Sequence, residues 1–266
     1  MDGQAQAREK FQWWARIGYC TRGMVYLLVG ALAILAAVGE GGKTTGTKGA
    51  LATIIGEPFG YVLLGIIALG LFGYAAWRFI QAVFDADNHG NGGKALAIRG
   101  GLLISSLTHV LLGIFAASLA FGSGGGGGSG GNSGWVAELM QQPWGRWMVA
   151  LIGIGILVAG IAHAVKAYKA KYRKHLAMDG EMMDKVEPMI RFGLYARSVV
   201  FAIIAFFFVI AAWQYDPQKA KGLNAALEFL QGQAYGMILL LIIALGLVAF
   251  GAYSVIEGIY RRIEPR

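Results

Sequence analysis

The chain predicts an all-α integral membrane fold, with six transmembrane helices arranged as three tandem two-helix repeats in pseudo-threefold symmetry. Three observations carry the prediction. Of 266 residues, 56% are hydrophobic and only 14% charged, which is too apolar for an ordinary soluble domain. The apolar residues gather into six runs, 17–38, 59–83, 98–121, 145–168, 191–213 and 235–259. Each is near the roughly 20 residues a helix needs to cross about 30 Å of hydrocarbon. The runs also come in pairs, and the pair is written three times. They lack the two-residue alternation of a membrane strand, and the 41 glycines are tolerated better in lipid-embedded helices than in water.

Both helices of the pair repeat. In the first, Arg16-Ile17-Gly18-Tyr19, Arg22 and Tyr26 return as Arg191-Phe192-Gly193-Leu194, Arg197 and Phe201. A weaker copy reads Arg99-Gly100-Gly101, Ser105 and His109. The second helices open on Gly60, Gly145 and Gly236 and carry Gly70, Gly155 and Gly246 ten residues further on. Ala68, Gly153 and Ala244 precede Ala75, Gly160 and Gly251 by seven residues, close to two turns, so these small residues share a face. Helices in lipid gain no hydrophobic energy by touching one another. They associate by close packing, which small residues permit. Gly70, Gly155, Gly246, Gly160 and Gly251 are therefore the predicted helix-packing positions around an axis along the membrane normal. The units run 13–90, 94–176 and 188–263 within one membrane domain. Two-helix units keep every copy in one orientation, which excludes an inverted-repeat plan.

The connectors inside each unit end in Ala50-Leu51 with Ile54-Ile55 and Pro58, in Val136 with Leu139-Met140 and Pro143, and in Ala226-Leu227 with Leu230. These patterns predict short amphipathic helices on the bilayer surface. The Gly-rich loop 122–134 before the second of them reads as a flexible linker. The charged stretch 169–190 either continues the fourth helix into solvent or forms a solvated hinge. The first apolar run has a basic flank and small residues at Ala36 and Ala37, as a signal peptide would. Its internal counterpart in the third unit predicts that it is retained.

Basic residues fix the expected orientation. Of the 23 lysines and arginines, 18 fall on the side of the termini and inter-unit loops, leaving Lys43, Lys48, Arg146, Lys219 and Lys221 on the other. The positive-inside rule then puts both termini in the cytoplasm. The net charge of +8 thus reflects topology and attraction to anionic lipid, with no nucleic-acid motif to suggest another partner. Trp13 and Trp14 at one interface, and Trp135, Trp144 and Trp147 at the other, read as aromatic anchors. Cys20 is the single cysteine, which excludes a disulfide framework.

Intramembrane polar residues are the candidate functional groups, because a charge at mid-bilayer costs about 2.5–3.5 kcal/mol on insertion scales. Arg22 and Arg197 lie six residues, about 9 Å, inside Arg16 and Arg191. Arg78, His163 and Ser254 align with one another, as do Gln81, Lys166 and Glu257. These residues predict a polar ring near the cytoplasmic side, in which Glu257 accepts from Arg197 or Arg22. The ring is either structural or part of an ion path. His109, deeper in its helix, occupies the slot of Tyr26 and Phe201 and reads as an aromatic-sized filler bonded to a neighbouring oxygen, or else as a proton relay. His109 and His163 differ in expected depth, which disfavours a shared haem. Ala37 to Thr44 matches a relaxed phosphate-loop pattern, yet it follows a membrane helix where a strand is required. No catalytic constellation appears, and no metal or cofactor is expected.

The segment from Ala15 through Arg16, Gly18, Arg22, Gly23 and Tyr26 to Gly30 resembles the repeat signature of the domain-of-unknown-function 1206 family. The third unit keeps Arg191, Gly193 and Arg197, while the second has Ser105 and Ser106 in place of Arg-Gly. The resemblance implies a bacterial membrane protein of three two-helix repeats, and the departure at Ser105 breaks any ring of three equivalent arginines. The expected function is a non-enzymatic scaffold or accessory subunit in the bacterial cytoplasmic membrane, packing against another membrane protein or a second copy. The alternative is a small ion or solute channel or permease lined by Arg22, Arg197, His109 and Glu257.

Overall fold

A computed structural model describes residues 2–40, 44–122 and 131–262, with side chains over 12–40, 44–122 and 134–262. Segments 41–43 and 123–130, which hold part of the phosphate-loop-like match and most of the Gly-rich loop, lie outside the described residues. The chain folds into α1 (Asp2–Val38), α2 (Thr47–Thr53), α3 (Gly60–Val83), α4 (Gly93–Ala120), α5 (Gly131–Met140), α6 (Gly145–Tyr168), α7 (Gly180–Gln214), α8 (Leu223–Gln231) and α9 (Gly236–Tyr260). Helices α1, α3, α4, α6, α7 and α9 are long and apolar enough to cross a membrane. The five tryptophans read as anchors are all exposed.

The same turn delivers the chain into the second helix of every unit. Ile54, Leu139 and Leu230 carbonyls accept from the N–H groups of Glu57, Gln142 and Gln233 at 3.1, 3.1 and 3.2 Å. Those three residues then accept from Gly60, Gly145 and Gly236, each at 2.9 Å. A Cβ on any of these glycines would collide with a carbonyl of the preceding turn, at Ile54, Leu139 or Gln231. Glycine opens all three helices because nothing larger fits.

The charged stretch 169–190 does not continue α6. That helix stops at Tyr168, and Ala170 takes a left-handed backbone with φ of 46°. The second half of the stretch instead begins α7. Asp179 caps it by accepting from the Met182 N–H at 2.7 Å. Lys185 pairs with Glu181 and Arg191 with Glu187 one turn apart, at 2.6 and 2.5 Å. The intervening turn is tied to the chain's far end, since Ala177 N–H donates to the Tyr260 carbonyl at 2.7 Å and Arg262 N–H to that of His175 at 2.9 Å.

Around the bundle, packed neighbours run α4, α3, α1, α9, α7, α6. Three of these seams join different units, and they repeat one contact. A Cβ at Gly23 would lie 2.7 Å from the Gly251 carbonyl, joining α1 to α9. At the equivalent place Ser106 Oγ donates to the Ala75 carbonyl at 2.8 Å, joining α4 to α3. A Cβ at Gly160 would lie 3.2 Å from the Ser198 carbonyl, joining α6 to α7.

The seams within units are not alike. In the first unit Gly18 abuts the Tyr74 backbone and Gly70 abuts Thr21; in the third Gly193 abuts Phe250 and Gly246 abuts Ala196. In the second unit a Cβ on Gly101 or Gly155 would meet nothing within 4 Å. Gly155 is thus corrected: it is not a packing position, because α4 and α6 form no such seam among the described residues. The residue opposite, equivalent to Thr21 and Ala196, is Ile104, which is 65% exposed. Accordingly α4 and α6 end the arc, with 22% and 17% of their most apolar windows buried against 56% for α9.

Candidate functional site

At the end of the bundle that carries the basic loops, four sets of equivalent positions converge. The first helices contribute Arg22, Ser105 and Arg197. The second helices contribute Tyr74, Ala159 and Phe250, then Arg78, His163 and Ser254, then Gln81, Lys166 and Glu257. Buried seams bring them together. Gly18 draws Tyr74 onto α1, and the contact of Gly23 with Gly251 sets Ser254 and Glu257 of α9 beside Arg22.

Arg22, only 6% exposed, is engaged on two sides. Its Nη2 donates to Glu257 Oε2 at 2.7 Å and to Ser254 Oγ at 2.9 Å, and its Nη1 donates to the Tyr74 hydroxyl. Glu257 is 2% exposed. Its other oxygen accepts from the Tyr253 hydroxyl at 2.7 Å, Arg261 Nη1 at 3.2 Å and Lys166 Nζ at 3.3 Å. One carboxylate therefore ties α1, α6 and α9. Breaking a buried pair by removing one partner leaves an uncompensated charge, which is far costlier than losing an exposed pair.

The network closes on itself. The Tyr74 hydroxyl also accepts from Arg78 Nε at 2.6 Å, and Arg78 Nη1 donates to Gln81 Oε1 at 3.0 Å. Gln81 Nε2 donates to Asp87 Oδ2 at 2.6 Å, and Asp87 accepts from Arg261 Nη2 at 3.3 Å. Arg261 returns the path to Glu257. Tyr19, buried under this loop, packs edge-on to Tyr74 with ring centroids 5.2 Å apart, and its hydroxyl accepts from Trp77 Nε1 at 3.1 Å.

Of the four residues singled out from sequence, Arg22 and Glu257 meet directly. Arg197 is not bonded to Glu257. Its guanidinium lies over the rings of Tyr26, Phe201 and Phe250, with its carbon 4.6, 4.7 and 4.4 Å from their centroids. His109 Nδ1 hydrogen-bonds the Ser105 carbonyl of its own helix at 2.7 Å, and its ring sits 4.5 Å from that of Tyr74. His163 does likewise with the Ala159 carbonyl at 2.8 Å, its ring 5.4 Å from Phe201. Among the described residues no group of three metal-ligating side chains forms.

Sequence reasoning missed Tyr74, Tyr253, Asp87 and Arg261. A signal existed for the first. Tyr74 and Phe250 align immediately before Ala75 and Gly251, beside the face already read as a seam, and aromatic groups there are placed to meet the arginines. Asp87 lies in the loop after α3 and Arg261 just beyond the end of α9, and neither aligns with a residue of like chemistry in another unit.

Six apolar helices, one turn repeated three times and a buried charge cluster define a multi-pass membrane protein built from three tandem hairpins. The chain belongs to the family described as Domain of Unknown Function (DUF1206), whose model matches residues 17–85, 100–170 and 192–261, one match in each unit. It is similar to a protein of Bacillus subtilis (strain 168) named "Uncharacterized protein YxxB", with 34% identity over 251 residues that span 93% of this chain and 90% of that protein. No solved structure matches the chain.

Proposed function

We infer that the protein is a non-enzymatic scaffold or accessory subunit of a membrane complex. It sits in the bacterial cytoplasmic membrane with both termini inside and anionic lipid against its basic face. One observation carries the reading. Glu257, the only acid inside the six apolar runs, accepts from Arg22, Tyr253, Lys166 and Arg261. A carboxylate held by four donors fixes helices in place and is poorly suited to hand a proton or ion onward. The small-residue face left open in the second unit supports an additional helix, from a membrane-protein partner or a second copy, as the thing held.

The reading is tested by reconstitution. Liposomes containing the protein are expected to pass ions and small solutes no faster than empty ones, while the protein extracted from its native membrane migrates with a partner. Flux that Glu257→Gln or Arg197→Leu abolishes would replace the scaffold by a channel or permease, a reading favoured by Arg197, which has no ion pair among the described residues. Orientation is tested in a Cys20→Ser background, where Gly127→Cys is expected to label from outside the cell and Gly180→Cys only after the cytoplasmic face is opened. Labelling of both from one side contradicts the six-span arrangement.

A further inference from the structure

Arg197 stands apart from the rest of the charge cluster. Its Nε and Nη1 are both buried and find no acceptor among the described residues, whereas Arg22 and Arg261 leave only Nε so; the residue as a whole keeps part of its surface accessible. Arg22 holds the equivalent position in the first unit and is bonded on both sides. Three neighbours account for the difference. Arg22 meets the hydroxyl of Tyr74; the residue that corresponds beside Arg197 is Phe250, which has no oxygen. Arg22 meets Ser254 Oγ; the counterpart is His163, whose Nδ1 is engaged by the Ala159 carbonyl. Arg22 meets the Glu257 carboxylate; the counterpart is Lys166, itself a donor and turned toward Glu257. Every acceptor of the first site is exchanged for a group that does not accept from Arg197.

The exchange leaves a surplus of positive charge. Among the described residues, the acids that pair within the cluster of Arg22, Arg78, Lys166, Arg197 and Arg261 are Glu257 and Asp87. Three aromatic faces offset part of the cost of burying a guanidinium. They do not satisfy its N–H groups, which bond most strongly to a carboxylate or phosphate.

We propose that Arg197, flanked by His163 and Lys166, binds an oxyanion, a carboxylate or phosphate carried on an acyl chain, in the role Glu257 plays for Arg22. A lipid is the source that fits the surroundings. Arg197 lies about 9 Å inside Arg191 along its helix, within an aromatic wall, and the neighbouring α6 exposes apolar side chains such as Ile154 and Val158. The site stands whether the protein is a scaffold or a conduit.

Native mass spectrometry of the full chain released from phosphatidylcholine nanodiscs doped with phosphatidate or oleate reads the site directly. Wild type is expected to retain the acidic lipid in preference to phosphatidylcholine, and Arg197→Gln to lower that retention by at least about tenfold. Lys185→Gln, which removes a cation exposed at the same end of the protein, is expected to leave it unchanged. Phe250→Tyr gives Arg197 the hydroxyl that Arg22 has and keeps every charge; it is expected to weaken retention roughly fivefold. It also serves where Arg197→Gln does not fold. Displacement of the lipid by inorganic phosphate supports the oxyanion chemistry and overturns the lipid as its source. Equal retention by wild type and Phe250→Tyr, or by wild type and a folded Arg197→Gln, overturns the proposal.

Discussion

The hairpin of α1 and α3 and the hairpin of α4 and α6 carry the same glycine pattern, yet only the first is closed. Gly18 and Gly70 sit against Tyr74 and Thr21, whereas Gly101 and Gly155 face open space. The opposing residues differ. Thr21 in the first unit and Ala196 in the third are small, and the matching Ile104 of the second is large and β-branched. The anchoring groups differ as well, since Arg22 and Tyr74 of the first unit become Ser105 and Ala159 in the second. Glycine permits two backbones to approach but supplies no attraction of its own. A small residue on one helix closes a seam only where the facing residue is small and a polar or aromatic contact holds the pair. Where either is lacking, as in the second unit, the neighbouring units keep the helix in place. There α4 is held by α3 and α6 by α7.

The largest effect expected from this contrast falls on the buried charge that fastens the closed side. Glu257→Gln leaves Arg22 without its anion and is expected to cost about 3–5 kcal/mol of stability, read as thermal unfolding in detergent. A loss below about 1 kcal/mol would mean that the network is incidental. Next come the seams themselves. Gly18→Ala and Gly193→Ala drive a methyl into the facing backbone and are each expected to destabilise by about 1–3 kcal/mol. Gly101→Ala, the matched change in the open hairpin, is expected to stabilise by about 0.5–1 kcal/mol, because alanine favours helix and nothing obstructs it. The same sign at all three positions would erase the distinction between the units. An effect of similarly small size is expected between units, where Ser106→Ala removes one hydrogen bond to the Ala75 carbonyl and costs about 0.6–1 kcal/mol. A null result there would assign the α3–α4 seam to apolar packing alone.

Much of this architecture is legible in the residues. The six spans follow from run length, and Gly60, Gly145 and Gly236 mark one turn three times because the backbone there leaves no room for a Cβ. Gly70, Gly246, Gly160 and Gly251 do lie at close helix contacts. Gly155 does not, and the reason sits on another helix. Reading it correctly requires weighing Ile104 against Thr21 and Ala196, which a scan of one helix for small residues does not do. Likewise the choice of Arg22 over Arg197 as the partner of Glu257 depends on which helices adjoin. Once α1 is known to lie against α9, and α7 against α6, the aligned residues at each place decide the pairing. The extension of α7 back to Gly180 was hidden because its signals are a capping aspartate and exposed ion pairs, without the apolar period that marks the other helices.

The opening of the second hairpin can be measured with three matched distances. Met24 with Ile66, Leu107 with Leu151 and Val199 with Ile242 are equivalent pairs, and all six side chains are exposed. Each pair is replaced by cysteines in a Cys20→Ser background, spin-labelled and measured by double electron–electron resonance in lipid nanodiscs. The distances for 24 with 66 and 199 with 242 should agree, and that for 107 with 151 should be clearly longer. Three equal distances would show a closed and symmetric ring, contrary to the structure.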